Sequence, residues 1–336
     1  MSLSINLAEN GLVPDSILRL AMRKLMASRL HAEARRDRAK WLEQMSNGPL
    51  ALSTSDANEQ HYEVPSEFFE ACLGEHLKYS CCYWPEGVAT LDQAEAEMLE
   101  LSCSRAQLKD GQEILELGCG WGSLSLWMAR HYPKSNIVSV SNSATQKAHI
   151  DQVAQTENLH NLTVITCDMN DFQTRQRFDR VVSIEMFEHM RNYALLLQRV
   201  SEWLKDDGKA FVHVFCHKTF CYPFENNNKN DWMARHFFTG GLMPSFSLFD
   251  DFKQHLQLEK RWQVNGTHYE KTSNAWLRKL DQNRDVVHAI FDSSPSNDSS
   301  KIQLQRWRMF YMACAELFGY NNGDEWFVGH FRFSKS

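Results

Sequence analysis

The sequence predicts a doubly wound α/β fold built on a mostly parallel sheet. Short runs rich in β-branched residues alternate with helical patterns between residues 113 and 215. Such alternation is typical of βαβ units, whose parallel strands are covered by helices on both faces. The first of these runs leads directly into the glycine-rich turn of residues 118–122 and then into a helical pattern. A turn of this kind is typical of the ligand-binding end of a parallel sheet.

Helical patterns precede the sheet. Apolar residues recur at helical spacing over residues 14–45, which predicts one or two amphipathic helices that begin near Asp15. Basic residues on these helices would suit a membrane surface, but the interleaved acidic residues favour a solvated face. A polar stretch over residues 46–57 separates this arm from the rest of the chain, and another helix is predicted over 91–104.

Five strands are predicted in the core, at residues 113–117, 136–141, 162–167, 180–185 and 209–215. Residues 274–291 and 305–319 carry helical patterns, which predicts a helical cap over the sheet, and residues 326–333 alternate like a last strand. We therefore predict four parts: an N-terminal helical arm (1–57), the core (58–215), a helical and aromatic cap (216–320) and a final strand of the core sheet (321–336).

Composition narrows the function. With a net charge of −6, the chain lacks the surplus of Lys and Arg that a general nucleic-acid binder needs. The sequence has no run of about 18 uncharged apolar residues and no secretory pattern, so we expect a cytoplasmic protein without stable membrane insertion. The nine cysteines form no paired CxxC blocks, which predicts neither a disulfide framework nor a metal site.

The glycine turn indicates a cofactor. Gly118, Gly120 and Gly122 let the backbone come close to a ligand and leave helix N-terminal amides pointing at it. The dinucleotide-binding pattern has a third glycine where Ser123 stands and an acidic residue near the end of the second strand, where this chain has Asn142. A nicotinamide cofactor is therefore disfavoured.

Glu116 and the three glycines together resemble the first motif of class I methyltransferases, which use S-adenosylmethionine and release S-adenosylhomocysteine. The resemblance implies that this turn binds the cofactor. It also implies contacts from residues at and after the ends of the second and third strands, which here are Asn142, Gln146, Asp168, Met169 and Asn170.

A candidate catalytic segment follows the fourth strand. Glu185, Glu188 and His189 would share one face if the segment turned helically, at the sheet edge where open α/β sheets bind ligands. Methylation of an amine needs a proton acceptor, because an alkyl ammonium has no free lone pair at pH 7. A histidine can accept that proton, and carboxylates can hold the cation. The structural alternative is a helix start whose acidic residues only favour the positive end of the dipole.

The resemblance widens to the cyclopropane fatty acid synthase-like methyltransferases. Their sequence blocks occur here in the same order, from about Glu59 to the C-terminus, and include EQHYEVPSEFF, KYSCCYW, ELGCGWGSLSL, SIEMFEHMRNY and NGTHYEKT. Within that superfamily the chain is most similar to the coclaurine N-methyltransferase branch. The resemblance implies a seven-stranded Rossmann-like sheet, and it implies that Glu185, Glu188 and His189 handle the substrate amine.

The same resemblance implies further site residues. Tyr62, Tyr79 and Ser80 match positions that close over the methionine end of the cofactor. Cyclopropane synthases hold a bicarbonate ion as base, and the matching residues here are Cys81, Glu188, His213 and Tyr269. Trp326 and Phe327 resemble residues near the acceptor pocket. Ordinary core packing is the alternative for Cys81, His213, Trp326 and Phe327.

The sequence therefore predicts an enzyme that methylates the nitrogen of a small-molecule amine, such as a benzylisoquinoline. True cyclopropane synthases usually carry a small residue where Glu185 stands, which favours the amine. The alternative is methylation of unsaturated acyl chains on phospholipids, with bicarbonate bound. A methyltransferase fold that has lost catalysis is a third hypothesis, and a homodimer is compatible with all three.

Overall fold

The computed structural model describes residues 3–52, 64–225, 231–294 and 298–335. Its strands are β1 (Glu113–Leu117), β2 (Asn136–Ser141), β3 (Leu162–Thr166), β4 (Phe178–Ile184), β5 (Leu204–His217), β6 (Tyr222–Pro223), β7 (Leu242–Met243), β8 (Leu256–Val264) and β9 (Trp326–Lys335). Seven of them form one sheet in the order β3-β2-β1-β4-β5-β9-β8, and β6 pairs with β7. β1 to β5 are parallel, whereas β9 runs antiparallel between β5 and β8. The predicted fold class is confirmed.

Helices cover both faces of the sheet. Within the described residues they are α1 (Leu3–Glu9), α2 (Asp15–Glu33), α3 (Arg38–Ser46), α4 (Ser66–Cys72), α5 (Leu91–Ala106), α6 (Ser123–His131), α7 (Ala144–Thr156), α8 (Tyr193–Trp203), α9 (Trp232–His236), α10 (Thr267–Gln282), α11 (Arg284–Ser293) and α12 (Ser300–Gly319). Thr90 begins α5 with a capping box, because its hydroxyl accepts from the Gln93 N–H while the Gln93 side chain reaches back. None of these helices is long and apolar enough to cross a membrane.

Strand register aligns one row of side chains across the sheet. His213 of β5 lies opposite His330 of β9, and His330 lies opposite Trp262 of β8. Residues that pair in this way project from the same face of the sheet. Ile184, the last residue of β4, lies opposite His213 on its other side, so the row ends next to Glu185.

β8 is a strand that the sequence analysis missed. Residues 216–320 were predicted to form a helical and aromatic cap, but β8 lies inside that range and completes the sheet edge beyond β9. Its buried ends, Leu256 and Val264, enclose a run that includes Glu259, Lys260 and Arg261. An edge strand with one solvated face tolerates such charges, so hydrophobicity alone gives little signal. The four-part domain division stays a prediction.

The N-terminal arm packs against the rest of the protein. Leu18 and Met26 of α2 are buried, and Arg19 forms an ion pair with Glu316 of α12 at 2.8 Å. Residues at the end of the arm also reach the catalytic segment, since Ala51 forms a β-bridge with Met190. The polar stretch that was expected only to separate the arm therefore contacts the site through its first half.

Candidate active site

The site is a cavity at the carboxyl ends of β1, β2 and β4. Residues that follow these strands line it, including Gly118, Asn142 and Glu185. Strand order reverses at this place, because β1 lies between β2 and β4. A crevice at such a reversal is where open α/β sheets bind ligands. The opposite wall comes from the cap.

The three glycines of the turn have different roles. All three have positive φ angles: 78° at Gly118, 52° at Gly120 and 84° at Gly122. A Cβ atom at Gly118 would lie 2.7 Å from the Met186 side chain, and one at Gly122 would lie 2.6 Å from Ile150. A Cβ atom at Gly120 would meet nothing within 4 Å. Gly118 and Gly122 are therefore fixed by packing, and Gly120 borders the open space of the cavity.

Glu116 lines the cavity beneath this turn. Its carboxylate is buried and accepts hydrogen bonds from the Ser125 hydroxyl and, at 2.8 Å, from the Ser139 hydroxyl. Burial raises the pKa of Glu116 to about 7, and the two serine hydroxyls act in the opposite direction. The group therefore lies near the midpoint of its titration at neutral pH.

Several residues that line the cavity carry buried polar atoms without a hydrogen-bond partner among the described residues. Gln146 accepts from the Ser141 hydroxyl at 2.7 Å, but its Nε2 group has no hydrogen-bond partner within the described part of the chain. The same holds for Trp121 Nε1 and Ser123 Oγ. Unpaired buried donors are costly, so three of them around one cavity indicate a polar ligand. Tyr79, Ser80, Asn142 and Met169 also line this half.

Two predicted cofactor residues do not line the cavity. The Asp168 carboxylate accepts from the Asn170 N–H at 2.7 Å and so closes a local turn. The Asn170 side chain holds the N-terminal arm instead, because its Oδ1 accepts from the Ala51 N–H at 3.1 Å. Tyr62 lies outside the described residues. Contact of these three with a cofactor stays a prediction.

Glu185 has the most elaborate set of contacts in the site. It directly follows β4 and has a φ angle of 46°, a left-handed conformation that is strained for a non-glycine residue. One carboxylate oxygen accepts from the Cys81 N–H at 3.0 Å and lies 3.1 Å from His213 Nε2. The other accepts from the Tyr269 hydroxyl at 2.6 Å. Three donors thus hold this carboxylate in one orientation.

The Glu188 carboxylate differs from that of Glu185 in its hydrogen bonds. It is fully buried, and neither carboxylate oxygen makes a hydrogen bond of good geometry to any described residue. Burial and the neighbouring Glu185 charge raise the pKa of Glu188 well above its ordinary value of 4.5, and nearby backbone N–H groups of Glu188 and Phe215 offset this only in part. The pair therefore ionises first at Glu185.

The catalytic segment is not an α-helix, contrary to the expectation of one shared helical face. The left-handed Glu185 ends the strand, and residues Phe187–His189 form a short 3₁₀ helix. Glu185, Glu188 and His189 nevertheless all line the cavity. The His189 ring stacks on Phe238 of the cap, with ring centroids 4.7 Å apart.

The residues that the resemblance implied for bicarbonate surround Glu185 itself. Cys81 contributes its backbone N–H, while its thiol points to the Cys82 carbonyl oxygen at 3.3 Å. His213 and Tyr269 contribute side-chain groups to the same carboxylate. The Glu185 carboxylate therefore occupies the donors that a free bicarbonate ion would need.

Trp326 and Phe327 lie outside the cavity. Trp326 is fully buried, and its indole N–H donates to the Tyr222 hydroxyl at 3.0 Å. Phe327 packs edge-to-face on Phe246, with ring centroids 5.3 Å apart. Core packing, the alternative from the sequence, describes both side chains.

Two features of the cavity were missed from the sequence. Lys78 is only 2% exposed, lines the cavity and donates to the Ser80 hydroxyl. Burial raises the pKa of Glu185, and the Lys78 charge offsets part of that rise. The sequence signal that could have indicated Lys78 is its position directly before Tyr79 in an otherwise apolar block. An aromatic wall is the second feature, because Phe310 and Phe318 of α12 meet Phe238, which comes from a distant segment of the chain.

The chain is similar to known proteins over most of its length. Residues 52–326 match the family described as mycolic acid cyclopropane synthetase. The chain belongs to this family. Within the family, it is 37% identical to the (S)-coclaurine N-methyltransferase of Thalictrum flavum subsp. glaucum, over 97% of this chain and 94% of that protein. It is 31% identical to the cyclopropane-fatty-acyl-phospholipid synthase of Escherichia coli K12, over 66% of this chain and 56% of that one.

A solved structure extends the likeness to three dimensions. The crystal structure of a coclaurine N-methyltransferase bound to N-methylheliamine and SAH is 36% identical in sequence, with a TM-score of 0.92 over 98% of both chains. The similarity to N-methyltransferases thus includes the N-terminal arm and the cap, and is not restricted to the shared methyltransferase core.

Proposed function

We propose that this protein is an S-adenosylmethionine-dependent N-methyltransferase that acts on a small-molecule amine. The observation that carries the proposal is the carboxylate pair beside the aromatic cap: Glu185 is held by three donors, and Glu188 is buried without a hydrogen bond from any described residue. Such a pair provides one fixed negative charge and one proton acceptor, as N-methylation of a cationic amine requires. Full-length similarity to (S)-coclaurine N-methyltransferase supports an alkaloid amine of the benzylisoquinoline type as acceptor.

The cavity fits S-adenosylmethionine on the side of the glycine turn. Gln146, Trp121 and Ser123 offer the unpaired donors that a polar nucleoside and amino acid would satisfy, and Gly120 leaves room beside the turn. Tyr79, Ser80 and Asn142 line the same half and would also hold it. The bound cofactor supplies a methyl group on a sulfonium, and the chain's own residues manage charge and protons around it.

The other half of the cavity fits an organic cation. Tyr269 and Phe318 stack with ring centroids 4.2 Å apart, and Phe238 extends the wall toward His189. Aromatic faces attract ammonium groups, and the Glu185 anion supplies the opposite charge. Held in this way, the nitrogen lies between the aromatic wall and the carboxylate pair.

Proton transfer follows from the state of the pair. Burial raises the pKa of both carboxyls, and the neighbouring Glu185 charge raises that of Glu188 further, so Glu185 ionises first and Glu188 keeps its proton after Glu185 has lost its own. Once ionised, a carboxylate with a raised pKa is a better base than an ordinary one, so Glu188 is suited to accept the ammonium proton. His189 also lines the cavity, and it serves as the group with which Glu188 exchanges this proton.

Site variants test these roles. Glu188→Ala, Glu188→Gln and His189→Ala should each lower turnover with (S)-coclaurine by about 10²-fold or more, because each removes a proton-transfer group. Titration calorimetry with S-adenosylmethionine should show nearly unchanged affinity. Full turnover by Glu188→Gln would exclude Glu188 as the base, since the amide cannot accept the proton.

Glu185→Gln gives a directional test through pH. Removal of the like charge lowers the pKa of Glu188, so activity should persist to lower pH. The acidic limb of kcat/KM for Glu185→Gln should therefore move down in pH, while its maximum falls because the cation loses its counter-charge. An acidic limb that moves to higher pH would contradict the assignment of Glu188 as the base.

Cyclopropane synthase-type methylation of phospholipid acyl chains is the alternative, and family membership favours it. That chemistry uses bicarbonate, yet Glu185 already occupies the matching donors. We therefore expect transfer of a radiolabelled methyl group to amines, without change when bicarbonate is removed from the buffer. Label in phospholipid acyl chains that disappears without bicarbonate would favour the alternative.

A homodimer in the cytoplasm is also proposed. Ile17, Leu20 and Leu25 form an exposed apolar stripe on α2, which suits contact with another chain. All nine cysteines are free, as expected in a reducing compartment. Light scattering at tens of micromolar should give twice the mass of the chain, and cell fractionation should recover it with cytoplasmic markers. A single-chain mass, or recovery with organelles, would contradict these two proposals.

A further inference from the structure

A chain of hydrogen bonds leads away from Glu185 through the sheet. His213 Nε2 lies 3.1 Å from Glu185 Oε1, and His213 Nδ1 lies 2.9 Å from His330 Nε2. His330 Nδ1 in turn lies 2.8 Å from an Arg105 guanidinium nitrogen. Both histidines are fully buried and occupy opposite positions on β5 and β9. Arg105 comes from α5, which packs over this face of the sheet.

The arginine determines the direction of every bond in the chain. A guanidinium can only donate, so His330 Nδ1 must accept and the His330 proton must be on Nε2. His330 Nε2 then donates to His213 Nδ1, which places the His213 proton on Nε2 as well. That proton points at Glu185. Each N–H along the chain is therefore directed toward the Glu185 carboxylate.

Charges around the chain favour this arrangement. Burial lowers the pKa of His213 and of His330 well below 6.5, with Lys78 and Arg105 adding to the effect, so both rings stay neutral. Arg105 is held over the Trp262 ring, 5.1 Å from its centroid, and keeps its proton. At the other end, the Cys81 N–H and the Tyr269 hydroxyl also point at Glu185, while Lys78 adds positive charge.

We propose that Arg105 and His330 are positioning residues for the methyltransferase reaction, which act through His213 to keep Glu185 ionised and fixed in orientation. The inference rests on the proposed N-methylation. It assigns a task to two residues that lie beyond the cavity wall, since neither Arg105 nor His330 lines the cavity. The polarised chain cannot carry a proton outward from Glu185, because every position facing that carboxylate is a donor. It stabilises the anion instead.

Matched variants of His330 separate this role from simple packing. A glutamine amide nitrogen reaches about as far as His Nε2, so His330→Gln keeps the donor toward His213. An asparagine amide reaches only the Nδ1 position, so His330→Asn loses that donor. We expect kcat of His330→Asn to fall about 10- to 100-fold, the effect of losing a hydrogen bond that supports a charged group. His330→Gln should retain most of the turnover.

The pH profile gives a second readout. Loss of the chain raises the pKa of the Glu185–Glu188 pair, so the acidic limb of kcat/KM should move to higher pH in His330→Asn and in Arg105→Met. S-adenosylmethionine affinity, measured by calorimetry, should stay unchanged in both. Equal turnover and equal limbs for the Asn and Gln variants would overturn the proposal, because a purely structural role would not distinguish them.

Histidine tautomers can be measured without any turnover. Long-range ¹H–¹⁵N correlation spectra of ¹⁵N-histidine-labelled protein should show His213 and His330 as neutral Nε2–H tautomers from pH 6 to pH 9. In Arg105→Met, His330 should begin to populate the Nδ1–H form. An imidazolium or an Nδ1–H tautomer in the unmodified protein would refute the chain. If the tautomers are as expected but no amine is methylated, only the proposed function fails.

Discussion

Glu188→Gln should make the protein more stable, and increasingly so as pH rises. The Glu188 carboxyl is fully buried and unpaired, so the folded state keeps its proton above pH 4.5, where the unfolded chain releases it. A state that binds more protons loses stability as pH increases. Wild-type stability therefore declines above pH 4.5 through this group, whereas the neutral glutamine does not titrate.

The magnitude follows from the pH interval. Each pH unit over which only the folded state holds the proton lowers the free energy of unfolding by about 1.4 kcal/mol. A chain of 336 residues has an unfolding entropy of about 0.7 kcal/mol/K, so the melting temperatures of variant and wild type should diverge by about 2 °C for each such pH unit above pH 4.5.

Differential scanning calorimetry of the cofactor-free protein at pH 4.5, 5.5 and 7 provides the measurement. Glu97→Gln is the matched control, because Glu97 is exposed and does not line the cavity, so this variant should show no growing gap. A gap between Glu188→Gln and wild type that is constant with pH would refute the reasoning. It would mean that Glu188 is already ionised in the folded protein.

Two further substitutions test the two halves of the cavity. Gly120→Val should abolish S-adenosylmethionine binding in calorimetry, whereas Gly111→Val, which has a similar positive φ and equally open space, should only lower the melting temperature. Normal binding by Gly120→Val would place the cofactor elsewhere. Phe238→Leu should raise KM for the amine several-fold through loss of the ring beside His189, while the buried Phe327→Leu should lower stability by about 1 kcal/mol and leave KM unchanged. The reverse pattern would return Phe327 to the acceptor pocket.

Local patterns were enough to predict much of the fold. β1, β2 and β4 are short apolar runs, and the glycine turn follows β1 directly, so periodicity and turn chemistry place them with little ambiguity. The position of Glu185 at the end of β4 also follows from sequence. What the sequence did not predict is its left-handed backbone, because a non-glycine residue in that conformation is held there by contacts from distant segments.

The features that the sequence did not predict depend on contacts between residues that are far apart in the chain. His213 and His330 are 117 residues apart, and only the antiparallel register of β5 and β9 brings their rings together. The family resemblance implied that Trp326 and Phe327 lie near the acceptor pocket, yet they are the first residues of β9 and are buried in the core. Asn170 was expected at the cofactor, and its side-chain oxygen accepts a hydrogen bond from the Ala51 N–H of the N-terminal arm. None of these pairings leaves a signal in one local window.

The left-handed backbone at Glu185 gives the site an anion that is covalently attached to the chain. Three donors surround a carboxylate that is covalently attached to the chain. The left-handed φ of 46° that places it there is strained by about 1–3 kcal/mol. Attachment makes its local concentration independent of any dissolved ion, so the carboxyl group is present whatever the carbon dioxide level of the solution. A glycine at this one position would relax the backbone and leave a carboxylate-sized vacancy lined by the same donors. We therefore expect a Glu185→Gly variant to depend on a dissolved anion at this position, which the natural chain supplies from its own side chain.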